Sequence, residues 1–391
     1  MFECPSGVFF SARSLAEPQW GNAKCQAWTQ ITNKEDSGMN AQKPTTLYER
    51  ANEVAGLNSV VDLVKLSDQY RQSAILHFAV DQQVFDHTQL PVSAEDVATR
   101  LGWTSNKGKI FLNGLVALGL LNKHEDRFSN QVLSDRFLVS SSPEFIGPII
   151  AHQRLQWQNW PRLGEILATG QSMDFQQENR FKHDQAARDA FNEAMVRFSQ
   201  PMVDVVRELP IFDNARKVID LAGGHGTYIA EIARRHPTLK GEIWDLAATR
   251  DAAQHTLDTY NLHDRLTFKE RNLLDLAKYQ GETADVVMLN DCLHYFTREQ
   301  TRDLIASASQ LVAKGGALMI LSMSLDANEI TPALSADFSL HMMVNTVNGE
   351  LHPTPWLAQQ MSDQGFEVME EKLGRYSLLV GRGKGEVADR A

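Results

Sequence analysis

The chain has 391 residues, and 38 basic side chains against 49 acidic ones leave a formal charge of −11. Its length suggests two or three domains with ample core material, and 43% hydrophobic against 22% charged residues excludes a disordered chain. The acidic balance argues against a general nucleic-acid binder, no apolar run approaches the roughly 18 residues of a membrane span, and Cys4, Cys25 and Cys292 are too few and too scattered for a disulfide framework or a structural zinc site.

The first residues lack a basic stretch followed by an apolar core, so the expected compartment is the cytoplasm. Over residues 1–45, Pro5, Gly7, Pro18, Gly21 and Gly38 interrupt short mixed runs, and a poorly ordered extension is expected. Residues 46–142 follow a helical pattern. Ala74, Ile75, Phe78, Ala79 and Val84 recur at three-to-four-residue spacing and predict one buried helix face. Ser93 ahead of Glu95 and Asp96 marks a helix start, and Ile110, Phe111, Leu112, Leu115, Val116 and Leu118 predict a further amphipathic helix. Leu120-Leu121, a polar turn and Phe128 onward then predict a two-stranded ribbon.

Helix, helix, helix, ribbon is the order of a winged-helix unit. Six basic against five acidic residues between Leu90 and Arg136, with so apolar a candidate recognition helix, disfavour a DNA groove. Residues 143–208 predict a helical bridge containing His152, Trp157, Trp160, Phe191 and Met195. Over 209–383 the character changes. Strand-like runs at Lys217–Asp220, Gly241–Trp244, Leu266–Lys269, Val286–Leu289 and Leu318–Ser322 are separated in several places by helical segments. That alternation implies an α/β domain with a parallel sheet, closed by a hairpin of Glu367–Glu371 and Tyr376–Arg382.

Asp220-Leu-Ala-Gly223-Gly224-His-Gly226-Thr227 is the most informative segment. A strand ends at Asp220, glycines permit a tight turn, and a helix begins at once, as in the nucleotide-binding loops of doubly wound folds. No lysine follows, so it is not a phosphate loop. The acid before the loop suits a ligand with a positive amine better than a pyrophosphate. Further on, Asp245 ends the next strand, where a carboxylate accepts hydrogen bonds from both ribose hydroxyls of an adenosine. These two features alone leave NAD open.

From about Tyr48 to Arg382 the chain resembles the plant-type small-molecule O-methyltransferase family, including its bacterial natural-product members. The glycine motif matches with Ala222 where a further glycine is common, and the ribose-binding acid falls on Asp245, followed by Leu246. The resemblance implies a Rossmann-like S-adenosylmethionine domain, a mostly helical winged-helix dimerisation domain and a homodimer acting on a small molecule. It places Asn272 where the family has an Asp facing the adenine amine, Leu273 on the adenine ring, and Met195 and Asn290 beside the cofactor. The general base falls on His294, with Tyr295 where the adjoining Asp stands in the family. One supporting acid aligns with Ser322 and a second with Glu350. Family substrates lie between the bridge and the late helix, which nominates His152, Arg154, Trp157, Phe338, His341, Met342 and Asn345.

A histidine near neutral pKa takes a proton from an alcohol or phenol, and a carboxylate behind it stabilises the imidazolium. Here Glu350 is the candidate carboxylate, and Asp291 lies three residues before His294. With support thinned, sulfur or amine acceptors enter, because positioning and desolvation carry much of their rate enhancement. O-methylation therefore leads, with S-methylation of a small sulfur acid of the dimethylsulfoniopropionate type, or N- or C-methylation, as alternatives. The reading of another class is a winged-helix regulator sensing a nucleotide-like ligand, which DNA binding without methyl transfer would favour.

Overall fold

A computed structural model describes residues 56–172, 185–279 and 281–383; the extension expected over residues 1–45 lies outside them. The first described helix, α1 (Val60–Asp81), starts where the Ser59 side chain accepts from the Asp62 N–H. Short α2 (Val84–His87) follows. Strand β1 (Val92–Ser93) leads into α3 (Ala94–Leu101), whose N-cap Ser93 accepts from Asp96 and whose C-cap Gly102 takes a left-handed φ of 69°. Helix α4 (Ser105–Ala117) then precedes the ribbon β2 (Leu121–His124) and β3 (Arg127–Asn130). The wing has three strands, in the order β1-β3-β2, because Val92 pairs with Phe128. Phe85, Val97, Leu112, Leu115, Leu121 and Phe128 form its core.

The helix face predicted over Ala74–Val84 is only partly covered. Ala79 on α1 and Val84 on α2 are buried, whereas Ala74 and Phe78 remain exposed. Val60, Val61, Leu63, Val64, Leu66 and Tyr70 are also more than half exposed. The apolar residues of α1 occupy more of its circumference than one wing core can cover, so a single chain leaves much of the helix bare.

Helix α5 (Val132–Phe137) leads to the bridge: α6 (Gly147–Gln156), a 3-10 segment (Trp157–Arg162), α7 (Leu163–Thr169) and α8 (Gln185–Val206). The sheet domain then runs β4 (Lys217–Leu221), α9 (Thr227–Arg235), β5 (Lys240–Asp245), α10 (Arg250–Tyr260), β6 (Leu266–Glu270) and β7 (Ala284–Asn290). It continues with α11 (Arg298–Ser309), β8 (Val312–Met323), α12 (Ala333–Asn345), α13 (Thr354–Asp363), β9 (Phe366–Leu373) and β10 (Tyr376–Gly383).

The strand order is β6-β5-β4-β7-β8-β10-β9. The first five are parallel, and β10 is antiparallel to both neighbours. β4 pairs with β5 on one side and β7 on the other, so chain direction across the sheet reverses at the β4–β7 boundary. Ligands of open α/β sheets bind at such a boundary, beyond the carboxyl ends of the strands. Asp220, Asp245 and Asn290 all stand at or next to those ends.

Candidate active site

A cavity of about 630 Å³ opens above these strand ends, walled by α6, α8 and α12. At its β4 side the glycine loop brings backbone close to two carboxylates. Asp245 Oδ2 accepts from the Gly224 N–H at 2.7 Å, and Oδ1 accepts from the Leu246 N–H at 2.6 Å. Burial raises the Asp245 carboxyl to about 6, against the pull of those backbone donors. A Cβ on Gly223 would come within 2.9 Å of the Asp220 carboxylate and of Ile243, and one on Gly226 would lie 2.6 Å from Ile243. Gly224 and Gly226 also take left-handed φ values of 52° and 73°. Ala222, at φ 54°, holds the same conformation with a methyl group. Asp220 is 1% exposed, and neither of its carboxylate oxygens has a protein partner. Burial, reinforced by Asp245, pushes its carboxyl up to about 8. A cationic group reaching Asp220 would relieve that cost.

The wall beyond Asp245 is made by Leu246, Thr249, Asn272, Leu273 and Leu274. Leu273 is buried, and Asn272 Oδ1 accepts from the Leu274 N–H at 3.0 Å. Asn290 and Met195 also line the cavity. Apolar leucines for a base, a carboxylate for ribose hydroxyls, a glycine loop for close approach and an unpaired acid for an amine together fit S-adenosylmethionine.

His294 sits on a 3-10 turn (Leu293–Tyr295) after β7 and is 7% exposed. Its Nδ1 is buried without a hydrogen-bond partner. Burial, with lesser contributions from His352 and His341, lowers its pKa to about 3, so the ring is neutral and a weaker base than the near-neutral histidine that the sequence suggests. The Tyr295 ring lies 4.7 Å from it, and the Phe338 ring meets it edge-on at 5.2 Å. Segment 346–352 holds the turn from behind. His352 Nε2 lies 2.8 Å from Thr301 Oγ1 and 3.1 Å from the Leu293 carbonyl, while a Cβ on Gly349 would approach the His294 carbonyl to 2.8 Å.

Glu350 is not the carboxylate behind His294. Its Oε1 accepts from the Arg298 N–H at 3.1 Å, in the first turn of α11, where an acid satisfies an otherwise unpaired amide. Arg154 also departs from its expected place: it pairs with Asp81 at 2.8 Å, in a smaller pocket between α1 and α6. Trp157 packs edge-on against His77 at 5.5 Å and does not line the large cavity. Gly226 shapes the turn into α9 without reaching the cavity surface. The other nominated residues, His152, Phe338, His341, Met342 and Asn345 among them, do line it. Asn345 is already engaged there, accepting from Asn159 at 2.7 Å and donating to the His341 carbonyl at 2.9 Å.

The sequence reading missed Tyr228, Arg271, Arg375 and Tyr376, all of which line the cavity. Tyr376 and Arg375 arrive from the closing hairpin, and only the sheet order shows that β10 lies beside β8 and within reach of the β7 end.

The family model described as the O-methyltransferase domain matches residues 168–367, and that of the O-methyltransferase dimerisation domain matches residues 64–140. The chain belongs to the O-methyltransferase family. It is 28% identical over 331 residues to a tetracenomycin polyketide synthesis 8-O-methyl transferase of Streptomyces glaucescens, covering 82% of this chain and 96% of that one. A solved O-methyltransferase family protein from Burkholderia thailandensis shares 58% identity, with a TM-score of 0.81 over 84% of this chain and 99% of the other. Human N-acetylserotonin methyltransferase, solved with S-adenosylmethionine, shares the fold at 20% identity, with a TM-score of 0.72 over 85% of this chain and 100% of that chain. The protein is thus an S-adenosylmethionine-dependent methyltransferase of small molecules with a Rossmann-like core and a helical dimerisation domain. No helix among the described residues is long and apolar enough to cross a membrane.

Proposed function

We propose that the enzyme methylates a hydroxyl group on a neutral, planar aromatic molecule, with His294 taking the hydroxyl proton. The observation that carries this reading is a buried imidazole in a cavity whose acceptor side is lined mostly by aromatic and uncharged side chains, with Asp337 as an acid among them. When bound, S-adenosylmethionine supplies an electrophilic methyl group. Phe338 and Phe191 offer faces and edges to a flat ring, and His294 offers its lone pair to the ring's hydroxyl. The Streptomyces glaucescens relative is named for 8-O-methyl transfer in tetracenomycin polyketide synthesis, which supports oxygen as the methylated atom here.

The charges around the cavity favour a neutral acceptor over a small sulfur acid. A carboxylate acceptor needs a cation, and the arginines lining the cavity among the described residues are engaged elsewhere. Arg271 pairs with Glu282 at 3.4 Å and lies over the Trp244 and Tyr279 rings, and Arg375 donates to the Tyr376 hydroxyl at 3.3 Å. Arg154 faces the other pocket.

The exposed apolar residues of α1 support a homodimer, since a second copy is the natural cover for a helix within the dimerisation domain. Changing Val61 and Val64 to Glu is expected to give a monomer in analytical ultracentrifugation. The acceptor test measures S-adenosylhomocysteine formation with 1-naphthol, an aromatic amine and 3-methylthiopropanoate as probes. Turnover of naphthol, lost with His294→Ala, is expected; turnover confined to the thioether acid would overturn the reading.

A further inference from the structure

Helix α12 brings two aromatic rings to the cavity, Phe338 and, three residues on, His341. The two stack at 5.8 Å with their planes 15° apart, and Trp160 lies tilted against His341 at 6.3 Å. Phe338 also meets the His294 ring edge-on at 5.2 Å, so one phenyl ring touches both imidazoles.

Which nitrogen of His341 carries the proton is set from the next turn of the helix. Asn345, 1% exposed, donates from Nδ2 to the His341 carbonyl at 2.9 Å, while its Oδ1 accepts from Asn159 at 2.7 Å. A main-chain carbonyl can only accept, so the Asn345 amide cannot be flipped. Its second Nδ2 hydrogen is then available to His341 Nδ1, 3.4 Å away. A proton on Nδ1 would meet that amide group hydrogen to hydrogen, so Nδ1 holds the lone pair and Nε2 carries the proton. Burial outweighs the charge of Asp337, one turn back, and holds the ring below the ordinary histidine value, hence neutral. Among the described residues Nε2 has no hydrogen-bond partner.

We propose that His341 donates its Nε2–H to a neutral oxygen of the acceptor molecule, so that the substrate class is a phenol that also bears a carbonyl group, such as a hydroxylated aryl ketone or quinone. The inference rests on the reading of an aromatic hydroxyl as the methylated group. A carbonyl conjugated to an aromatic system holds its lone pairs in the ring plane, so it can reach a donor at the edge of the cavity while the ring itself stays against Phe338. A phenol without that oxygen would displace water from Nε2 and leave the donor unpaired beside Leu334, Phe338 and Met342. His341 thus sets which molecules are held, apart from the proton removal assigned to His294.

The test is calorimetric titration of the full chain, loaded with S-adenosylhomocysteine, with 2-hydroxyfluorenone and with 2-hydroxyfluorene, planar phenols that differ in the carbonyl. The ketone is expected to bind about tenfold more tightly. His341→Leu is expected to remove that preference while leaving hydroxyfluorene within about twofold, and His341→Gln, which keeps an N–H donor, to restore part of it. Nitrogen-15 chemical shifts of the histidine-labelled natural chain are expected to place the His341 proton on Nε2, and they decide the matter if neither variant folds by circular dichroism. No preference for the ketone, a preference that survives His341→Leu, or a proton on Nδ1 overturns the proposal. Ketone-selective binding lost with His341→Leu, but without methyl transfer from S-adenosylmethionine to either phenol, would uphold the role of His341 and sink the hydroxyl reading instead.

Discussion

Asp245 and His294 line one cavity, yet their surroundings differ in kind. Asp245 receives two backbone N–H groups that the strand-loop-helix geometry places there, and such donors stay put whatever side chains surround them. His294 has no donor or acceptor on its inner nitrogen, and its turn is held through main-chain carbonyls by His352 and by the close approach of Gly349. The cofactor side is therefore fixed by fold. The acceptor side is fixed by packing, which leaves its chemistry open to change from one relative to the next.

This contrast predicts separable effects. Asp245→Ala removes the acceptor of two backbone donors and the acceptor proposed for the two ribose hydroxyls, and S-adenosylmethionine affinity in calorimetry is expected to fall about 100-fold or more. His294→Ala is expected to lower kcat by about 10²–10⁴, with cofactor affinity unchanged, if proton removal limits the rate. A matching loss of cofactor affinity would break the comparison. Glu350→Gln retains an acceptor for the Arg298 N–H and, lying off the cavity, should change kcat by less than about tenfold.

The cofactor side also predicts a pH signature. The Asp220 carboxyl stands at about 8 in the fold against its ordinary 3.8, so the folded chain holds a proton that the unfolded chain releases. Stability of the free protein should fall as pH rises from about 4 to 8, and Tm should fall with it. Saturating S-adenosylhomocysteine, or Asp220→Asn, should flatten that slope, and an unflattened slope in both cases would place its origin elsewhere. The smallest effect belongs to Ala222. Glycine there relieves a left-handed φ of 54°, and Ala222→Gly should stabilise the fold by about 0.5–1 kcal/mol in chemical denaturation.

The same contrast explains what could be read from the sequence. Glycine spacing after an apolar strand reports backbone geometry directly, so Asp220, Gly223, Gly224 and Asp245 were legible together with the parallel sheet. The wing was legible through its helical periods, although β1 was not, because two residues are too short to show alternation. The arrangement around His294 depends on which side chain wins a nearby donor. Glu350 aligns with a supporting acid, but the N-terminus of α11 offers it an amide, and no linear pattern shows that competition. Arg154 was drawn to Asp81 in the same way, by a partner from a different helix.

The position of β10 bears on how the chain reaches this state. The strand at the end of the described chain is an interior one, inserted between β8 and β9 and antiparallel to both. β9 therefore has no place in the sheet until β10 is present to bridge it. That edge should assemble as a hairpin docking on β8, through contacts between residues 53 to 65 positions apart, which favours a late event. Arg375 and Tyr376 enter the cavity only with that step. The part of the cavity that they line should consequently be completed after the parallel core has formed, and in refolding experiments amide protection of β10 should appear after that of β4 and β5.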